Sequence, residues 1–156
     1  MGWSVTAAKR DVVTASTDYD FTGTIMNAYL NGRTLIYNQA PLEDILVQRD
    51  IILNNWEKVV AAVSIHYIND TMSDLAELIT AGDSSLTYMN VGNSYLAHWA
   101  EMRAYAHGLI YNDFKLIDES DISAVFGYMG NGPVFNDGAD FSGMQTLHDN
   151  LALAKD

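Results

Sequence analysis

The sequence contains no cysteine and few basic residues. The absence of cysteine excludes disulfides, thiolate metal ligands, haem attachment through CxxCH and cysteine nucleophiles. Eight Lys and Arg residues stand against twenty Asp and Glu residues, so the net charge is -12. This charge repels phosphate backbones and anionic membrane surfaces, and we expect no nucleic-acid partner. Cations and basic partners suit this charge better.

Long apolar runs are also missing from the sequence. No run approaches the roughly 18 residues of a membrane span, so we expect no transmembrane segment. The start, MGWSVTAAKRDVV, lacks the apolar core of about 7 to 15 residues that a signal peptide needs. The 156 residues include 49% hydrophobic and 18% charged residues, which indicates a globular chain long enough to bury a core.

The spacing of apolar residues divides the chain into two parts. Residues 1–22 show no sustained period and are predicted to form an irregular N-terminal arm, anchored by Trp3 and Phe21. Residues 23–156 are predicted to form one helical bundle domain. No strand-like alternation longer than about four residues competes with the helical spacing, so the predicted fold class is all-α.

Five stretches show helical spacing. Thr22 or Thr24 suits the N-cap of the first helix. Between Pro41 and Gly82 the sequence has no other Gly or Pro, which predicts either one helix of roughly 60 Å or two helices with a break near 69–74. The predicted helices cover residues 24–38, 41–81, 95–112 with a start as early as Leu86, 121–130, and 144–154.

The stretch 95–112, YLAHWAEMRAYAHGLIYN, is apolar almost all the way round and is predicted to be a central, buried helix. It carries His98 and Glu101, which lie three residues apart and therefore on adjacent turns of one face. Burying both groups is costly unless they form hydrogen bonds, pair with other charges or bind a metal. His98 and Glu101 are therefore candidate metal ligands.

The long helix before this stretch supplies the facing ligands. His66 and Asp70 share a face with Trp56 and several valines at helical spacing. Two histidines and two carboxylates suit a divalent ion such as iron, zinc or manganese, and helical bundles build such sites from facing helices. The alternative is that His98 donates to a buried carbonyl oxygen while Glu101 pairs with a basic side chain.

Motifs of catalysis are missing. GxSxG, SxxK and HExxH do not occur, and the HxxE of the central helix supplies one imidazole where HExxH supplies two. We therefore assign no catalytic residue. The run NDGAD at 136–140 lacks the Glu that completes a calcium loop and is predicted to be a turn.

Three stretches together resemble a known family. NAYLNGRTLI at 27–36, NNWEKVVAAVSIHYIND at 54–70 and HWAEMRAYAHGLIYN at 98–112 resemble a bacterial family of secreted domains of unknown function related to the imelysins. The resemblance covers about residues 24–130. It implies an imelysin-like helical bundle that is exported to the periplasm or the cell surface. By the same resemblance, this chain corresponds to the C-terminal half, or to a short relative, of a longer protein.

The imelysins are linked to iron uptake and carry a GxHxxE motif proposed as a metal site. In this chain His98 and Glu101 match the motif, whereas Leu96 stands where the motif has Gly. The resemblance therefore implies a metal-related role, with the metal site itself altered.

These observations predict a non-enzymatic exported protein that binds a metal ion, iron or zinc, or a metal-bearing ligand. The predicted ligands are His98, Glu101, His66 and Asp70. The alternative is a structural or adhesive module without a metal site, which self-assembles or binds a protein partner through the N-terminal arm. A metallopeptidase is a distant third hypothesis.

Overall fold

A computed structural model describes residues 2–13, 18–82 and 85–155. Within these residues the chain forms six α-helices, a short 3-10 helix and one pair of two-residue antiparallel strands. The helices are α1 (Trp3–Ala8), α2 (Phe21–Tyr37), α3 (Leu42–Ala81), α4 (Ser85–Gly108), α5 (Glu119–Met129) and α6 (Ser142–Ala154), and the strands are β1 (Val12–Val13) and β2 (Asp18–Tyr19). The prediction of an all-α helical bundle is confirmed.

The N-terminal segment has more regular structure than the sequence indicated. Its described part contains α1 and the β1–β2 pair, in which Val12 lies opposite Tyr19. The ring of Trp3 packs edge-on against the ring of Trp56, with 6.1 Å between the ring centres. The arm is therefore anchored through Trp3, as predicted, but it is not irregular throughout.

Two aspartates fix the start of α2. The carboxylate of Asp11 accepts the backbone N–H of Phe21 at 2.7 Å, and the carboxylate of Asp20 accepts that of Gly23 at 2.7 Å. These bonds satisfy N–H groups that have no partner inside the helix. The helix consequently begins at Phe21, and the predicted threonine caps are wrong because aspartates supply the acceptors.

Helix α3 is continuous from Leu42 to Ala81, so the prediction of a single long helix is the correct alternative. Gly82 follows the last residue of the helix, and its φ of 60° is a left-handed conformation that glycine adopts without steric cost. The chain divides into two compact units. Unit 1 comprises Met1–Ala62 and Asn112–Leu116, and unit 2 comprises Val63–Tyr111 and Ile117–Asp156. Helix α3 contributes its first half to unit 1 and its second half to unit 2.

Unit 2 contains the main apolar core, formed by residues of α3, α4, α5 and α6. Its most fully buried side chains are those of Ile68, Leu75, Leu78, Tyr95, Met102, Met129, Met144 and Leu151. The hydroxyl of Tyr95 fixes the chain after α5, because it accepts the N–H of Val134 at 2.8 Å and donates to the carbonyl oxygen of Val134 at 3.1 Å. Both backbone groups are thereby satisfied.

Helix α4 is buried on one face only, which corrects the prediction of a helix buried all round. Tyr95, Met102 and Ala106 are inaccessible or nearly so, whereas Leu96 and Ala100 are exposed. The described part of the exposed face includes three alanines, which favour helix formation and cost little in contact with water. Although α4 has apolar residues on both faces, only one of these faces packs against other helices among the described residues.

Unit 1 is organised around the buried carboxylate of Glu57 in α3. This carboxylate accepts the backbone N–H of Leu116 at 2.7 Å and a side-chain N–H of Asn112 at 2.5 Å. The guanidinium of Arg49 lies 4.9 Å from the centre of the Phe114 ring, within the range of a cation–π contact. Glu57 and Arg49 thus hold Asn112–Leu116 in unit 1.

The run NDGAD forms a turn, as predicted. Asp137 and Asp140 exchange two backbone hydrogen bonds of 3.0 Å, and Gly138 between them has a φ of 57°. The amide of Asn136 donates to the carbonyl oxygen of Gly138 at 2.6 Å. The run therefore forms a tight turn that precedes α6.

Candidate functional site

Two histidine–aspartate pairs of unit 2 involve helix α3. His66 and Asp70 are one turn apart on α3, with 3.3 Å between Nε2 and Oδ2. Asp74, one further turn along α3, meets His98 of α4, with 2.7 Å between Oδ2 and Nδ1. Residues four apart share one face of a helix, so His66, Asp70 and Asp74 form a single row on α3.

The His98–Asp74 pair is the more buried of the two. The side chain of Asp74 is 14% exposed and that of His98 is 29% exposed. An ionised carboxylate only accepts hydrogen bonds, so Nδ1 of His98 donates to it, and in the neutral ring Nε2 keeps the lone pair. The pair therefore holds an imidazole whose second nitrogen can accept a proton, a hydrogen bond or a metal ion.

The pKa of Asp74 is raised above its ordinary value of 3.8. Burial is the largest cause, since it disfavours the charged carboxylate. The hydrogen bond and the charge of His98 lower the pKa, while the charge of Asp70 raises it further. Asp74 thus experiences the negative charge of Asp70 along the same row.

Aromatic rings border this row. The ring centre of Tyr67 lies 5.1 Å from that of His66 and 6.0 Å from that of His98. Tyr67 also stacks on Tyr105 of α4, with 5.5 Å between the ring centres. The polar row on α3 is therefore supported on one side by packed aromatic side chains.

The structure groups the predicted metal ligands differently from the sequence prediction. His66 lies with Asp70, as expected, but His98 pairs with Asp74, while Glu101 is exposed on α4. Among the described residues no three His, Asp or Glu side chains come together as a metal-binding group. Asp74 was missed, although its position four residues after Asp70 places it on the same face.

A second candidate site lies in unit 1, between α2 and the first part of α3. It is a pocket of about 360 Å³, within the size range of ligand-binding pockets. Its walls are apolar except for two arginines and Gln48. The principal lining residues are Tyr29, Arg33, Ile36, Ile45, Arg49 and Ile52.

The two arginines of this pocket differ in their surroundings. Arg49 pairs with Asp50, with 2.6 Å between Nη2 and Oδ1, and also contacts Phe114. Arg33 is exposed, is the only charged residue between Phe21 and Tyr37, and forms no ion pair or hydrogen bond with the described residues. Arg33 is therefore a cation free to pair with an external carboxylate.

An exposed stripe runs along α2 beside the pocket. Taking about 100° per residue, its members fall within an arc of about 120°, with Arg33 at the centre. The apolar members are between 43% and 87% exposed. This α2 stripe consists of Met26, Tyr29, Leu30, Arg33, Ile36 and Tyr37.

The flank of α2 next to the stripe is buried in unit 1 through Phe21, Ile25 and Ala28. The apolar surface of α2 thus spans roughly twice the arc of an ordinary half-buried helix. Helical spacing predicted the helix itself, but it could not show that half of its apolar residues are exposed.

The chain matches no protein-family model, and comparisons with curated proteins and with solved structures found no similar protein. The resemblance to the imelysin-related family therefore stays a prediction. Of the helices in the described residues, none is long and apolar enough to cross a membrane.

Proposed function

We propose that the chain is a non-enzymatic binding module that docks onto another protein through the α2 stripe. The observation that carries this proposal is the exposure of five large apolar side chains along one helix face. Scattered exposed apolar residues are ordinary, but a contiguous row of them marks an interaction surface. The large, rigid side chains of Tyr29 and Tyr37 are of the type enriched in protein interfaces.

The distribution of charge supports the same proposal. Unit 1 has six basic and eight acidic residues, whereas unit 2 has two basic and twelve acidic residues. Unit 1 therefore carries a formal charge of -2 and unit 2 carries -10, which together give the net -12. A nearly neutral unit with an apolar surface suits close contact with a protein partner, and the acidic unit favours solubility.

The sequence left open a module that binds a protein partner through the N-terminal arm. The proposal retains a protein partner, but it places the contact on α2 instead of the N-terminal arm, whose Trp3 packs against Trp56 within unit 1. The resemblance to imelysin-related domains supports a periplasmic or cell-surface location for this module. We include that location in the proposal.

Site-specific photo-crosslinking tests the proposed contact. A photoreactive phenylalanine analogue at Tyr37, which is 87% exposed in the α2 stripe, is expected to crosslink one defined protein in the producing cells. The matched control is the same analogue at Tyr111 of unit 2, which is 80% exposed. Mass spectrometry of the adduct identifies the crosslinked chain and the contacted peptide.

Three outcomes of this experiment contradict the proposal. Equal crosslinking from positions 37 and 111, or none from position 37, means that the stripe is not a specific docking surface. An adduct of twice the chain mass of 17.2 kDa, with this chain as its only component, means self-assembly instead of docking to another protein.

Binding of a divalent metal ion is a second candidate function, and the His98–Asp74 pair is the observation that favours it. A carboxylate that accepts one imidazole N–H commonly orients a metal-binding histidine. In this proposal Nε2 of His98 binds the ion, and His66 and Asp70 join it by side-chain rotation, since both are partly exposed. The proposed ion is iron or zinc.

Titration with zinc ions alone, followed by calorimetry, tests this second candidate. We expect one ion per chain, with affinity lowered at least about tenfold by His98→Gln because an imidazole ligand is lost. His107→Gln is the matched control, since His107 lies on the same helix. Its ring packs on Phe126 instead, with 4.6 Å between the ring centres. Equal affinities for both variants, or no binding by the wild type, would exclude this site.

A further inference from the structure

The pocket and the α2 stripe form one continuous surface feature of unit 1. Tyr29, Arg33 and Ile36 belong to both, so a partner lying on the stripe also covers the mouth of the pocket. The pocket walls between these residues and Ile45 are apolar. A side chain that enters the pocket from a partner must therefore be apolar as well.

Arg33 imposes a second requirement on the partner. It stands at the centre of the stripe, where a docked partner would exclude water from the guanidinium. Removing a charge from water is costly unless an opposite charge compensates, and no carboxylate among the described residues pairs with Arg33. The compensating carboxylate must therefore come from the partner.

The central position of Arg33 also argues against a second copy of the chain as the partner. If two α2 stripes packed on each other about a two-fold axis, their central residues would lie close together. Two guanidiniums would then meet in a low-dielectric interface, and this repulsion is costly. The stripe is better suited to a different, acidic surface.

We infer that the partner element is an acidic amphipathic helix whose carboxylate pairs with Arg33, an inference that rests on the proposed docking function. The apolar residues of the partner helix pack along the α2 stripe, and one of them enters the pocket beside Ile36 and Ile45. Helix-in-groove recognition of this kind uses apolar residues at i, i+3, i+4 and i+7. The planar guanidinium of Arg33 accommodates a carboxylate through two parallel hydrogen bonds.

Three synthetic helical peptides of about 18 residues, or five turns, probe this inference. They share one leucine face and differ only in a central residue at its border, which is Glu, Gln or Lys. Fluorescence anisotropy measures the affinity of each labelled peptide for the full chain. We expect the Glu peptide to bind the wild type at least about tenfold more tightly than the Gln peptide, as for a charge-assisted pair in an interface.

Three variants of the chain test whether the peptide preference depends on the charge of Arg33 or on positive charge elsewhere in unit 1. Arg33→Met is expected to abolish the preference for Glu over Gln, because the aliphatic stem remains and the charge is lost. Arg33→Glu is expected to prefer the Lys peptide. Lys58→Met removes a different exposed positive charge of unit 1 and is expected to keep the wild-type preference. Circular dichroism verifies that each variant keeps its helical content.

The outcomes distinguish this inference from the docking function on which it rests. Equal binding of the Glu and Gln peptides to the wild type overturns the role of Arg33 and leaves the docking surface in place. A preference that survives Arg33→Met overturns the role of Arg33 as well. Binding of no peptide to the wild type overturns the acidic-helix inference, and the crosslinking at Tyr37 then decides separately whether another kind of partner uses the stripe.

Discussion

Replacement of Leu75 by alanine is expected to lower the free energy of unfolding by about 2 to 5 kcal/mol. Leu75 lies on α3 with none of its surface exposed, inside the core that α3, α4, α5 and α6 share in unit 2. The substitution removes buried methyl groups and leaves a cavity that rigid neighbours fill only in part. Met102 and Met144 belong to the same core, and their flexible side chains would reduce the loss of stability towards the lower limit.

Urea unfolding monitored by circular dichroism measures this effect. The matched control is Leu153→Ala on α6, where the same chemical change occurs at a side chain that is 55% exposed. We expect the control to differ from the wild type by less than about 0.5 kcal/mol. Similar losses in the two variants would show that Leu75 is not part of a close-packed core.

Replacement of Glu57 by glutamine is expected to lower the free energy of unfolding by about 1.5 to 3 kcal/mol. Glu57 is 7% exposed, and its two oxygens accept from Leu116 and Asn112. Glutamine keeps the shape but replaces one accepting oxygen with an NH2 group, which donates hydrogen bonds and accepts none. One donor thus loses its partner, and the remaining hydrogen bond is no longer charge-assisted.

The loss of stability should be concentrated in Asn112–Leu116, the segment that Glu57 holds in place. Limited trypsin digestion is expected to cleave after Lys115 faster in Glu57→Gln than in the wild type, since local opening exposes the backbone to the protease. Glu77→Gln provides the control, because Glu77 is an exposed carboxylate in the same helix. Unchanged cleavage after Lys115, together with unchanged stability, would mean that Glu57 does not fix this segment.

The fold class could be predicted because local signals suffice for it. Between Leu42 and Ala81 no Gly or Pro interrupts the helical spacing, and the structure contains one continuous helix there. The start of α2 could not be predicted in the same way, because the carboxylate of Asp11 reaches Phe21 across ten residues. Such a cap depends on the path of the chain between the two residues.

The histidine–aspartate row shows where reasoning from one helix fails. The spacing of three residues on α4 predicts that Glu101 and His98 act together. The partner that His98 has in the structure is Asp74 of α3, and this choice depends on how α3 and α4 are rotated about their axes. Sequence spacing gives the face of each helix but not the rotation of one helix against another.

Exposure was the other property that the sequence left open. Tyr29, Ile36 and Leu96 are all apolar residues in stretches that show helical spacing. In the structure all three are exposed. Periodicity identifies residues that can be buried, whereas burial itself requires a neighbouring element that covers them.

The unequal charge of the two units has a practical consequence for the purified protein. At the isoelectric point of about 4.4, protonation of carboxylates, most of which belong to unit 2, cancels the repulsion between molecules. The apolar residues of the α2 stripe do not titrate, so they can still drive association between molecules when that repulsion disappears. Clouding and precipitation should therefore begin as a solution is acidified towards this pH, before the helices themselves unfold.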